Sequence, residues 1–103
     1  MLTTVDIENL RNTIAERMHP DKIILFGSYA EGRATDDSDV DFLVVMNSEL
    51  QPHRRNIELK RLFPHRKFSL DAFVYTPEEF NRFKDVPGTI VYTAAHSGKL
   101  LYG

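Results

Sequence analysis

The sequence predicts an α/β (α+β) fold, a small mixed sheet flanked by helices, on three observations. Two short apolar runs, Ile23–Phe26 and Phe42–Met46, have the length and residue types of buried strands. Elsewhere apolar residues recur at helical spacing, as in Ile7, Leu10, Ile14 and Met18. Strand-like and helix-like segments alternate along 103 residues, with no repeat, low-complexity tract or linker, which is enough chain for one modest core.

The elements follow in order. The first amphipathic helix has Asp6 and Glu8 near its start and is closed by His19-Pro20. Residues 22–27 form a short strand that ends at Gly27-Ser28. A short helix is expected after that corner, broken at Gly32, and Thr35-Asp36-Asp37-Ser38 has turn chemistry. Residues 39–46 form the next strand. Pro52 opens a helix whose apolar side is Ile57, Leu59, Leu62 and Phe63, and Pro64 stops it. A third strand is expected over Phe68–Tyr75, with Asp71 in its middle. Thr76-Pro77-Glu78-Glu79 reads as an N-cap, a proline in the first turn and two acids that favour the helix dipole; Phe80 and Phe83 face inward. Pro87 is expected to open a last helix that runs to about His96, with Ser97-Gly98 as its stop and Lys99–Tyr102 extended.

Composition excludes several classes. A net charge of −2 argues against a dedicated nucleic-acid binder. The longest apolar run is too short to span a membrane, and the N-terminus lacks the basic start and apolar stretch of a secretory signal. With no cysteine there are no disulfides and no thiolate metal sites, and the expected location is the cytoplasm. The charges are uneven: Glu31, Asp36, Asp37, Asp39 and Asp41 crowd one stretch, while residues 53–67 carry six Lys or Arg against the single Glu58. The basic stretch fits either a solvated helix face or a docking surface for an acidic partner or nucleic acid.

The chemistry concentrates at Gly27-Ser28 and Asp39-Val40-Asp41. Residues two apart on a strand share a face, so Asp39 and Asp41 project side by side; if Asp71 lies on the neighbouring strand, three carboxylates converge. At about 5 Å and an effective dielectric of 20, each like-charge pair costs roughly 3 kcal/mol. Divalent metal provides the compensation, because Mg²⁺ takes carboxylate oxygens together with substrate phosphates. Two such ions can clamp the attacking and leaving oxygens of an in-line displacement. Gly27 lets phosphate oxygens approach the backbone, and the Ser28 hydroxyl with the amides that follow can hold a triphosphate. On average residue usage the combined pattern arises by chance in about one chain in a thousand of this size.

Rival motifs fail. After Asp37, Asp39 and Asp41, an EF-hand needs glycine where Phe42 stands and an acid near Asn47 or Ser48. Gly98-Lys99 is no phosphate loop, with Thr93 in place of the first glycine and Leu100 in place of Ser or Thr. His19, His53, His65 and His96 lack metal-ligand spacing, and Tyr29, Tyr75, Tyr92 and Tyr102 read as core or rim residues.

On Gly27, Ser28, Asp39 and Asp41, with Ser28-Tyr29-Ala30, Gly32-Arg33-Ala34, Ser38, Asp71 and the closing Ser97–Tyr102, the chain resembles the minimal nucleotidyltransferases of the DNA polymerase β superfamily, the MntA-like antitoxins. The resemblance covers nearly the whole chain as one nucleotidyltransferase domain, residues 1–103, with no further helical domain for a small acceptor. It implies transfer of AMP from ATP to a tyrosine hydroxyl of a HEPN-domain ribonuclease toxin. In that scheme Gly27 and Ser28 hold the triphosphate, and Asp39 and Asp41 ligate two Mg²⁺. Asp71 completes the catalytic metal site and draws the acceptor's proton. Glu31 stands where many members carry arginine, and Arg33 is the substitute phosphate contact. The alternatives are an antitoxin that neutralises its toxin by binding alone, and nucleotidyl transfer to a small molecule; the absent second domain counts against the latter.

Overall fold

Thr3 opens the first helix by a reciprocal cap. Its hydroxyl accepts the Asp6 amide at 3.1 Å while the Asp6 carboxylate accepts the Thr3 amide at 2.8 Å. In the computed structural model, which describes residues 1–103, α1 runs Thr4–Met18 and ends at His19 in the left-handed conformation (φ 49°). Then follow β1 (Lys22–Phe26), β2 (Val40–Val45), α2 (Pro52–Lys60), β3 (Leu70–Tyr75), α3 (Pro77–Phe83), α4 (Ile90–Ser97) and β4 (Lys99–Tyr102). No helix is long and apolar enough to cross a membrane.

The strands form one mixed sheet in the order β3-β2-β1-β4. β1 is antiparallel to β2 and to β4, and β2 is parallel to β3 through the α2 crossover. Apart from Lys22 and Asp41, β1 and β2 are apolar because both their faces are covered. On one face Ile7 and Ile14 of α1 and Leu59 of α2 pack on Ile23, Leu25, Val40, Phe42 and Val44. On the other, Phe80 of α3 and Val91 and Ala94 of α4 pack on Ile24, Phe26, Leu43 and Val45. No polar side chain is fully buried.

A partly buried ion pair ties α2 to α3. Arg55, 10 % exposed, donates to Glu79 at 2.7 Å, and the same carboxylate oxygen accepts the Thr76 amide at the α3 cap. Burial pushes Glu79 up, but the Thr76 amide and the Arg55 guanidinium outweigh it and hold the carboxyl below its usual range. α2 is also tied to edge strand β3, whose Val74 amide donates to Asn56 Oδ1 at 2.8 Å.

Three expectations change. The segment after Gly27 is a set of turns, not a helix: the Ala30 and Glu31 amides both fold back to the Gly27 carbonyl and the Arg33 amide to that of Ser28. Gly32, at φ 72°, ends the segment before a helical nucleus is worth its entropy. The last helix starts at Ile90 instead of Pro87, because Thr89 accepts the Tyr92 amide as N-cap and donates to the Phe83 and Val86 carbonyls behind it. Ile57 is 45 % exposed. Two helical residues two apart are separated by about 200°, so Ile57 points outward because Leu59 points in.

Candidate active site

Parallel register places Asp41 of β2 directly beside Asp71 of β3, and antiparallel register places Phe26 of β1 on the other side of Asp41. These three side chains form one row across the end of the sheet, on the face that α3 and α4 cover farther along. The next row on that face includes Phe73, whose ring stands 6.1 Å from that of Phe26. An apolar wall therefore backs the two carboxylates. Asp39, exposed just before β2 begins, acts electrostatically on Asp41.

The consequence is a perturbed carboxyl. Desolvation, the hydrogen bond with Asp71, and the negative charges of Asp71 and Asp39 push Asp41 up to about 7. Every one of these influences raises it, and no Lys or Arg offsets them. The structure thus brings Asp41 and Asp71 into contact, while Asp39 acts on Asp41 only through its charge.

Gly27 closes the site from the β1 side. It takes a left-handed conformation (φ 75°), and a methyl group built there would overlap Asp41 Oδ2. Only glycine leaves that carboxylate its position. Beyond it, the amides of Ser28 and Tyr29 and the Ser28 hydroxyl make no hydrogen bond within the chain, so three donors stand free at the corner. These are amides of a turn, not of the helix N-terminus expected from the sequence. Arg33 pairs with Glu31 at 3.3 Å, both exposed.

As a donor set the carboxylates suit a hard divalent cation. No three histidine, aspartate or glutamate side chains form a ready-made metal shell. Mg²⁺ does not require one, since it binds through one or two carboxylates completed by water and substrate phosphate. Asp41 and Asp71, in register and without a cationic partner, meet that description in their oxygen chemistry and their unrelieved charge.

The carboxylates line no enclosed cavity. The cleft nearest in sequence, about 350 Å³, is bounded by Tyr29, Asp36–Ser38 and Arg66–Ser69 and includes none of the three. The site is an open shelf at the sheet's end. Sequence reasoning missed Phe26 and Phe73 as its wall; β-strand parity would have put Phe73 on the face of Asp71, but Phe26 needed the register.

A profile of the nucleotidyltransferase domain matches residues 7–97, a span that includes Gly27, Ser28, Asp39, Asp41 and Asp71. No curated protein matches. Among solved structures, the chain is similar to a toxin–antitoxin with AMP-PNP (TM-score 0.66, 23% identity, covering 93% of this chain and 73% of that one). It is also similar to a protein from Sulfolobus solfataricus assigned as a nucleotidyltransferase (TM-score 0.61, 21% identity, 91% and 74%). A third is the MntA-HpeT toxin–antitoxin carrying a tyrosine-to-alanine mutation (TM-score 0.62, 24% identity, 100% and 74%). At these identities the likeness is one of fold.

Proposed function

The chain belongs to the nucleotidyltransferase domain family, and from that premise we propose that it transfers AMP from ATP to a tyrosine hydroxyl of a HEPN-type toxin, as the antitoxin of a toxin–antitoxin pair. The observation that carries this reading is the row Phe26–Asp41–Asp71 with Gly27 fitted against Asp41. The fold shared with a toxin–antitoxin bearing AMP-PNP, and with the MntA-HpeT complex, supports ATP as donor and a toxin as acceptor.

Each residue has a role set by its place. The free Ser28 and Tyr29 amides and the Ser28 hydroxyl bind the triphosphate, and Gly27 keeps the backbone low enough for phosphate to approach. Asp39, Asp41 and Asp71 would hold two Mg²⁺, which when bound neutralise the phosphate charge and lower the pKa of the attacking hydroxyl. Asp71 accepts the proton of the acceptor hydroxyl. That oxygen forms a bond to the α-phosphorus, the bond from the α-phosphorus to the bridging oxygen breaks, and pyrophosphate leaves. Phe26 and Phe73 exclude water from behind the carboxylates, which strengthens their hold on charge.

The open shelf favours a macromolecular acceptor. Small-molecule sites are concave and bury most of their ligand, whereas these carboxylates line none of the clefts of the structure. Pyrophosphate release tests the reading: with ATP and Mg²⁺ it should appear on addition of the toxin and vanish in Asp71→Asn. Release that persists in Asp71→Asn would remove that residue from the chemistry.

A further inference from the structure

Asp39 stands one residue before β2, exposed, and its backbone makes no hydrogen bond to any other backbone group. The sheet therefore does not hold it. Asp36, Asp37 and Asp41 lie within three residues of it and carry the same charge. That repulsion alone would spread the segment and carry the Asp39 carboxylate away from Asp41.

The two neighbours of Asp39 are fixed instead. On the C-terminal side Val40 is fully buried, and its amide donates to the Ser69 carbonyl at 2.9 Å, next to the head of β3. On the N-terminal side Ser38 closes a four-residue turn with Thr35 from both directions. The Ser38 amide donates to the Thr35 carbonyl at 3.1 Å, and the Thr35 amide donates to Ser38 Oγ at 2.8 Å. Inside the same turn the Asp37 amide donates to the Thr35 hydroxyl at 3.3 Å. Of these three bonds only the 2.8 Å one depends on the side chain at position 38.

We propose that Ser38 is a positioning residue, whose hydroxyl locks the Thr35–Ser38 turn and so presents the Asp39 carboxylate to a divalent cation. The proposal rests on reading Asp39 as a metal ligand. The Ser38 hydroxyl meets Thr35 and neither Asp41 nor Asp71, so its influence runs through Asp39. Without the lock, Asp39 is a link anchored at one end, and the two acids at the tip of the turn push it open. Its carboxylate must then be ordered as the cation arrives, which weakens binding.

The test uses the full chain with a non-hydrolysable ATP analogue and Mn²⁺, an ion of the same oxygen chemistry as Mg²⁺, with the free ion measured by electron paramagnetic resonance. Ser38→Ala should weaken Mn²⁺ binding about three- to tenfold, the worth of one hydrogen bond. Ser38→Thr should restore it, since it keeps the hydroxyl and its methyl has room in the cleft of about 350 Å³ that Ser38 borders. Asp39→Asn should weaken binding further than Ser38→Ala, and the two together should be no worse than Asp39→Asn alone. Unchanged Mn²⁺ affinity in Ser38→Ala would overturn the proposal and leave the metal reading standing. A loss of the same size in the Asp39→Asn background would also overturn it, because Ser38 would then act by another route. A wild-type chain that binds no Mn²⁺ at millimolar concentration would overturn the metal reading and the proposal together.

Discussion

Asp41→Asn should stabilise the metal-free protein at alkaline pH and leave it unchanged in acid. In the folded chain, burial and the Asp71 and Asp39 carboxylates raise Asp41 from an ordinary 3.8 to about 7. A folded value above the unfolded one means that the native state holds a proton the unfolded chain has released. The associated stability is complete below about pH 4 and is lost as pH rises through 7. At 1.36 kcal/mol per pH unit, a sealed site would lose about 4 kcal/mol. Asp41 is half-buried, and solvent screening leaves about 1–2 kcal/mol. Asparagine keeps the shape and the hydrogen bond to Asp71 without the charge. At pH 8 the variant should therefore melt about 5–10 °C above the wild type, and at pH 4 the two should coincide. Circular dichroism melts in a chelator would show this. A variant less stable than the wild type at pH 8 would mean that the carboxylate is structural, and the reasoning would fail.

ATP with Mg²⁺ should raise the melting temperature, by about 2.7 kcal/mol of stability at a hundredfold excess over Kd. The effect should grow from pH 6 to pH 8, as the proton held at Asp41 is released, and disappear in Asp41→Asn; a shift independent of pH would contradict the coupling. Gly27→Ala should reduce transfer at least 100-fold by pushing the Asp41 carboxylate aside, while the left-handed backbone there costs only about 1–2 kcal/mol of stability, so activity and urea unfolding measured together separate the effects. Arg55→Ala should cost about 1 kcal/mol in urea unfolding, because it removes the charged partner of a carboxylate that stays partly exposed. The Arg55–Glu79 contribution is present above the usual carboxylate range and is lost as pH falls through it, so this variant should show less acid sensitivity than the wild type.

Much of the site could be read from the chain because strands have a fixed period. Asp41 and Asp71 lie in runs whose apolar neighbours mark them as strands, and a period of two settles which side chains share a face; Asp39, expected on the same strand, stands just before it. What a period does not supply is register. That Phe26 and Asp71 flank Asp41 depends on one antiparallel and one parallel pairing, and the parallel one depends on how α2 crosses over. The Arg55–Glu79 pair, 24 residues apart, was invisible for the same reason. Turn geometry defeated the expected helix after Ser28, where Gly32 stops the chain within one turn. Ile57 was misassigned because its apolar character was read ahead of its angle to Leu59.

Intact-mass spectrometry of the proposed acceptor toxin, after incubation with this chain, ATP and Mg²⁺, reads the transfer itself. A gain of whole AMP units on that protein, mapped to a tyrosine and absent with Asp41→Asn, is the expected result. A toxin that stays at its original mass while its ribonuclease activity is blocked in a stable complex would contradict it, leaving an antitoxin that acts by contact alone.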